Sequence, residues 1–513
     1  MKSKKTLKSI AFCLVWIFLL SAAALPAAAA SEQIINLTDL YGNGYSASSE
    51  AIEGDGADVG PAERAFDNEA LPEEISAETI AGLSRWAANT TADTWLEVKF
   101  IDKVTITAFQ INECKLWGNI TSFEIQAYAG EEWKTIYTGG ETATDRCDVE
   151  ESIVTDRVRL YVTGVAADRF QGVSILEMDY FGTCGDSFPQ NLSAMPLVNY
   201  SASTIEGTNA NEMLAFDGDL SSRWASQQGD HAGAYLEVDF YIPVRVTGFQ
   251  INECTTWGNI TSYEIQYWDG EAWKTAYTGE QTVTDGILLA SEVTAEKVRL
   301  LVNSVDPARY AGVTVYEMNI LGFYDAEQLP DNLAASSGAT YTASSSEGDG
   351  MGAEQAFDQN LTTRWASEPE DGAGAWIEVA FASDVTVEQF NIYENKAWGN
   401  VTGYNVQCFV NGEWKTVYEG TETSPDVISL ASPEKTNRVR VNFTAVAEDR
   451  YQGVTLWEMG VFGIGPEIET PPEEQEPNTG TGDASQLVWL AAAAALCALS
   501  LPLCRAARKE SEA

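Results

Sequence analysis

The chain has 513 residues, with 30 Lys+Arg against 76 Asp+Glu, a formal net charge of −46, one histidine and 45% hydrophobic residues. The hydrophobic share excludes wholesale disorder. The charge repels nucleic acid and anionic membranes. It suits divalent cations or neutral ligands, and it also serves plain solubility in an exported protein.

The N-terminus reads as a secretory signal peptide over residues 1–30. Lys2, Lys4, Lys5 and Lys8 form its charged region, Ile10 to Leu20 its apolar core, and small residues ending at Ala30 its cleavage site. A retained anchor is the weaker alternative, because the apolar core is short for a span.

A thirteen-residue stretch then occurs three times, as FQINECKLWGNIT from Phe109, FQINECTTWGNIT from Phe249 and FNIYENKAWGNVT from Phe390. Its tryptophans, Trp117, Trp257 and Trp398, are 140 and then 141 residues apart. That period is too long for a solenoid unit and matches a whole domain. Three domains are predicted, at 31–185, 188–324 and 329–464.

Each opens with Asn-Leu (Asn36, Asn191, Asn332). Tyr-Ser/Thr-Ala-Ser follows at Tyr45, Tyr200 and Tyr341, Ala-Phe-Asp at Ala65, Ala215 and Ala356, and Arg-Trp-Ala at Arg85, Arg223 and Arg364. The first repeat carries an insertion between Asn68 and Ser84. Leu236, Val238 and Phe240 alternate with Glu237 and Asp239, the period of a half-buried strand. Asp269-Gly270 and Asn411-Gly412 predict two-residue hairpin turns. Short strands divided by turn signals argue an antiparallel sandwich. Five of the eight cysteines lie in the repeats. No CxxC pair exists, so a zinc site is not expected. Cys114 and Cys254 read as small buried residues, and a Cys147–Cys184 pair is left open.

Residues 465–486 form a Pro/Glu-rich linker. Then comes an apolar segment, 487–504, just long enough to span a membrane, and a basic end, 505–513, that places itself inside. The motif Glu476-Pro-Asn-Thr-Gly480, the apolar tail and the basic end resemble a Gram-positive cell-wall sorting signal, with Glu476 where that signal has leucine. The resemblance implies peptidoglycan attachment by a sortase. A plain membrane anchor is the alternative, and both place the repeats outside the cell.

The ordered motifs resemble the coagulation factor V/VIII type C (discoidin-like) domain, and within it the family 32 carbohydrate-binding modules. The resemblance implies an all-β protein of three tandem eight-stranded antiparallel β-sandwich (jelly-roll) domains. It also implies a structural Ca2+ in each. The matching residues are Asp67, Ser84 and Glu177 in the first repeat, Asp217, Asp219, Ser222 and Glu317 in the second, and Asp358, Asn360, Thr363 and Glu458 in the third. Hard oxygen ligands of this kind suit calcium. The plain alternative is a turn beside a surface acid.

Two recurring loops carry the chemistry of sugar recognition, an aromatic face with forked hydrogen-bond donors. One holds Trp117 and Asn119, Trp257 and Asn259, or Trp398 and Asn400. The other holds Arg169 and Phe170, Arg309 and Tyr310, or Arg450 and Tyr451. His231, with Gln227, adds a polar contact in the second repeat. The Trp-Gly-Asn tryptophans fit core or ligand platform equally. Trp86, Trp224 and Trp365 read as core, and Trp133, Trp273 and Trp414 as packed on the sheet. Glu113, Glu253 and Glu394 either bond ligand or orient the loop arginine. Catalysis is not expected: one histidine cannot supply three triads, and no phosphate loop or HExxH occurs. The sequence thus predicts a non-catalytic, surface-anchored glycan binder, and the resemblance implies ligands of the galactose or N-acetylhexosamine type. A surface protein contacting protein partners, or a spacer, is the alternative.

Overall fold

The computed structural model describes residues 34–466, apart from 52–59, 70, 73–74, 77–78, 81–82, 89, 91–92, 117–118, 169–171, 255–258, 396–400 and 450. The signal peptide, the sorting-like motif, the apolar segment 487–504 and the basic end lie outside the described residues. Among the described residues no helix is long and apolar enough to cross a membrane.

The opening motifs are joined into one structural device. Asn36, Asn191 and Asn332 each cap a short 3-10 turn, accepting from the backbone N–H two residues on at 3.2, 3.0 and 3.1 Å. The leucine that follows is buried. Tyr45, Tyr200 and Tyr341 donate their hydroxyls back to that turn, at 3.1, 2.8 and 2.7 Å. Their rings stack on Phe66, Phe216 and Phe357 of Ala-Phe-Asp, with centroids 4.6, 4.4 and 4.7 Å apart. Trp86, Trp224 and Trp365 are fully buried, as expected, and satisfy Nε1 on the carbonyls of Ser49, Thr204 and Ser345.

In the first module the strands are β1 (Ile35–Asn36), β2 (Gly44–Ala47), β3 (Trp86–Ala88), β4 (Thr94–Glu113), β5 (Ile120–Ala129), β6 (Glu132–Gly139), β7 (Cys147–Val165) and β8 (Val173–Cys184). Their order is β1-β8-β4-β7-β5-β6, with β2 beside β4 and β3 beside β8. The second module repeats this between Gln190 and Phe323 with eight strands, the third between Thr340 and Ile464 with seven. In the third, Asn332 makes only a single bridge to Phe462 where the others have a first strand.

The long strands differ from the short ones the sequence suggests, and the register explains why. β4 pairs with β2 and the end of β7 up to Lys99, then shifts register before Val104 and pairs with β8 and the start of β7. β4 and β7 thus bend together and serve both layers, the way strands turn corners in sandwiches. One layer holds β2, β5, β6 and the adjoining halves of β4 and β7. The other holds β1, β3, β8 and the remaining halves. Each module encloses its own core. Leu96, Val98 and Phe100 and their counterparts point inward, each worth about 1.5–3 kcal/mol of burial.

Two turns refine the sequence reading. Asn411 and Gly412 both take positive φ, 52° and 86°, as a primed hairpin turn requires. In the second module only Gly270 does, at 94°, because Asp269 instead accepts from the N–H groups of Glu271 and Ala272. Cys147 pairs with Phe109 and Cys184 with Val104 along β4. Five residues of strand, about 16 Å, exceed any disulfide's reach.

Residues up to Gly465 form one compact unit. The turn before β2 docks on the second module. Gln250 accepts from Gly42 N–H at 3.2 Å and donates to the carbonyls of Asn43 and Thr284 at 3.0 and 2.7 Å. Lys99 pairs with Asp285 at 3.0 Å. Gly42, at φ 83°, approaches so closely that a Cβ on Gly286 would lie 2.6 Å from its carbonyl oxygen. The equivalent turn of the second module meets the third in the same way, Asn199 donating to Asp426 at 2.5 Å.

Candidate functional site

Three loops converge at one end of each sandwich: β3–β4, β4–β5 and β7–β8. In the first module Ala166 N–H donates to the Asn119 carbonyl at 2.9 Å, and in the second Asp306 N–H donates to that of Asn259 at 2.8 Å. The two loops that sequence singled out are therefore tied together. The third loop joins them where Gly229 N–H donates to the Ala311 carbonyl at 2.6 Å and Ser226 exchanges bonds with Val313.

Tyr310 stands at this junction, half-buried. It donates to the Ser226 carbonyl at 3.2 Å and to Glu206 Oε1 at 3.4 Å. Its ring lies over Gly312, where a Cβ would come within 2.4 Å of it. Arg223 pairs with the other oxygen of Glu206 at 3.7 Å. Tyr451 repeats the arrangement over Gly453, donating to the Ser367 carbonyl at 3.1 Å. Burial and the nearby Glu347 push its hydroxyl up to about 12. Sequence reasoning missed Glu206 and Glu347. The available signal was their shared place, six residues after Tyr200 and Tyr341.

Asn119, Asn259 and His231 are half-buried at the same end, and Arg309 is exposed there. Trp117, Arg169, Phe170, Trp257, Trp398, Asn400 and Arg450 lie outside the described residues.

The triplicated glutamates fasten the β4–β5 loop. Glu113, Glu253 and Glu394 accept from the backbone N–H groups of Ile120, Ile260 and Val401, at 2.6, 2.6 and 2.7 Å. Their second oxygens accept from Thr142, Thr282 and Thr423. Burial raises the carboxyls of Glu113 and Glu253. Arg309 works against that rise at Glu253, so in the second module the glutamate also faces the loop arginine.

The acidic constellation lies on the Ala-Phe-Asp turn. Asn68, Gly218 and Gln359 all take positive φ, at 55°, 76° and 60°. Gly218 and Gln359 thereby aim N–H groups at Glu317 and Glu458, 3.2 and 3.1 Å away. Asp217 accepts from Ser222 and Asp358 from Thr363, both at 2.7 Å. Asp219 and Asn360 turn their side chains instead onto Ser221 and Thr362, at 2.8 and 3.0 Å. Their carbonyls, not their side chains, face Ser222 and Thr363. In the first module Ser84 donates its N–H to Glu69 at 2.7 Å.

Burial, then the facing aspartates, push Glu177 up to about 9 and Glu317 and Glu458 up to about 8. Both oxygens of Glu177 and Oε1 of Glu458 are buried without a hydrogen-bond partner of standard geometry. Such orphaned carboxylate oxygens facing a second carboxylate fit a bound cation. Among the described residues no three His, Cys, Asp or Glu side chains group to hold a metal. A cation here would therefore draw on turn carbonyls as well.

The F5/8 type C domain model matches residues 45–178, 199–315 and 340–459. The chain belongs to the F5/8 type C domain family. Among solved structures it is similar to chitosan-binding module 1 of a chitosanase/glucanase from Paenibacillus sp. IK-5, at 34% identity over 26% of this chain and 99% of that one, TM-score 0.23. It is similar to the family 32 module of C. perfringens NanJ, solved with galactose, at 20% identity over 26% and 98%, TM-score 0.23. No curated protein matches the chain.

The three F5/8 type C modules share a feature at the far end of the β5–β6 layer. Trp133, Trp273 and Trp414 lie on the outer sheet face beneath Arg159, Arg299 and Arg440, 4.1, 4.0 and 4.2 Å from guanidinium to ring centre. They pack on the sheet, away from the loop end. The insertion of the first module builds a small apolar cluster of Ile80, Cys114 and Leu176, with Leu71, Ile75 and Leu83 against it.

Proposed function

We propose that this chain is a non-catalytic carbohydrate-binding protein displayed on the cell surface, with one glycan site at the loop end of each F5/8 type C module. The observation that carries the reading is the tyrosine of modules two and three, held over a glycine and bonded to a fixed carbonyl. That ring is pre-positioned to stack on the C–H face of a sugar. Glu206 and the neighbouring asparagine and arginine positions supply hydrogen bonds to vicinal hydroxyls. Galactose and N-acetylhexosamine glycans are the expected class. Exposed acid beside the tyrosine also favours amino sugars, which gain a charge-assisted bond.

Ca2+ is proposed as a structural ion at Asp67/Glu177, Asp217/Glu317 and Asp358/Glu458. It would neutralise the paired acids and hold the turn through carboxylates and carbonyls. Export through the N-terminal signal and anchoring to peptidoglycan or membrane through the C-terminus complete the proposal. Docked modules favour simultaneous engagement on a dense glycan surface.

The test is a glycan array probed with residues 31–465, with and without chelator, beside Tyr310→Ala and Tyr451→Ala. Binding to galactose, N-acetylhexosamine or deacetylated amino-sugar glycans that the two substitutions weaken supports the reading. A blank array from folded, calcium-loaded protein rejects it in favour of a protein partner.

A further inference from the structure

The third module departs from its sisters on the flank of the β5–β6 layer, next to the loop end. In the first module Thr163 donates to Ser122 across the strand pair at 2.8 Å, and in the second Thr261 and Ser304 bond at 2.8 Å. Gly403 stands where Ser122 stands, and Ala445 where Ser304 stands, so neither crossing can form. Glu124 and Glu264 accept from the glutamine two residues on, at 2.7 and 2.9 Å, and from a threonine of the neighbouring strand. Asn405 takes their place, and Gln407 turns to Thr416 instead, at 3.1 Å.

Beside these residues lies a groove of about 750 Å³ whose lining includes Tyr404, Asn405, Tyr418, Glu419, Glu422 and Thr444. One of its polar atoms, Asn405 Oδ1, is buried without a hydrogen-bond partner, beside Tyr404, 2% exposed, whose hydroxyl neighbours that of Tyr418. Buried polar atoms are seldom left unmet, and each costs about 1–3 kcal/mol when it is. The lining carries acceptors and acids, and no Lys or Arg. It therefore selects for hydrogen-bond donors and against anions.

We propose that this groove is a second saccharide subsite, confined to the third module, for a donor-rich sugar residue held through its hydroxyl or ammonium hydrogens. Asn405 and the acids accept those hydrogens, and the Tyr418 ring offers an apolar edge. The subsite is independent of the loop-end reading, because none of its lining residues belongs to the Tyr310 or Tyr451 clusters.

The test uses residues 31–465, since each module holds its own core and the three form one compact unit. Phe170→Ala, Tyr310→Ala and Tyr451→Ala are combined to silence the three loop ends. Calorimetric titrations follow with a β-linked glucose trisaccharide and a glucosamine trisaccharide, which separate hydroxyl from ammonium recognition. The expected result is one equivalent bound per chain for at least one probe. Gly403→Ser, the residue of the sister modules, and Asn405→Leu should each weaken it at least tenfold with unchanged melting temperature. Should Gly403→Ser prove unstable, Asn405→Leu alone decides. Failure of both probes to bind the triple variant at about 10 mM overturns the proposal. So does full affinity in Asn405→Leu.

Discussion

Calcium removal should make the modules unstable specifically at neutral and alkaline pH. Glu317 is 5% exposed and faces Asp217. Without a cation, burial holds its proton up to about 8 against an ordinary value of 4.5. An acid raised in the folded state binds more protons there than when unfolded. Its contribution is therefore fully present below about pH 4.5 and is lost as pH rises through about 8. At about 1.4 kcal/mol per pH unit, the interval sets a ceiling of roughly 5 kcal/mol for this module. With each kcal/mol worth about 2–4 °C at this size, the melting temperature in chelator should fall by on the order of 10 °C between about pH 5 and pH 8. Calcium reverses the sign of the argument, because it binds the ionised pair. At a hundredfold excess over Kd it restores about 2.7 kcal/mol, and only at the higher pH. The assay is scanning calorimetry of residues 31–465 in chelator and in calcium across that range. Glu317→Gln should flatten both dependences for the second module. A melting temperature in chelator that is flat or rising with pH, or calcium stabilisation equal at both ends, refutes the reasoning.

Tyr310→Ala and Tyr451→Ala should each lower glycan affinity about tenfold or more at one module, with k_off rather than k_on moving, as surface plasmon resonance would read. Thr282→Ala should leave a buried carboxylate oxygen of Glu253 unmet, costing about 1–3 kcal/mol and loosening its hold on Ile260. Amide hydrogen exchange at Ile260 checks this. Gln250→Ala removes the partners of Gly42 and Asn43 at the first junction. Small-angle scattering should then show a broader spread of dimensions, with the melting of each module unchanged.

The sandwich class, the three copies and the core tryptophans were legible because each rests on local pattern. Leu236, Val238 and Phe240 alternate, and Trp224 sits in a motif repeated three times. The bend that lets β4 serve two layers was not legible, because nothing in Ile101-Asp102-Lys103 distinguishes a corner from a strand's end. Side-chain capping hid in the same way. Asp269 and Asp219 read as a turn former and a metal ligand, yet each spends its carboxylate on nearby N–H groups. Glu206 was missed because its importance lies in Tyr310, a hundred residues away in sequence and 3.4 Å away in space.

The pattern of what the three modules share and where they part bears on how the chain works. The glutamate clamp and the tyrosine that ties the opening turn recur with bond lengths within a few tenths of an ångström, and the paired acids of the Ala-Phe-Asp turn recur as a motif. The loop end of the first module and the flank of the third do not. The first module has Ala51 where its sisters have Glu206 and Glu347, and it alone carries the insertion beside its acid turn. A binder that gained only by avidity would keep three like sites, since each added copy multiplies the same affinity. On the proposed glycan reading, unlike sites on docked modules would instead read different parts of a mixed glycan surface, with docking through Gln250 and Asp426 fixing their spacing. Separate modules screened on one array should therefore give distinct profiles, the first module differing most. Three superimposable profiles would return the argument to avidity alone.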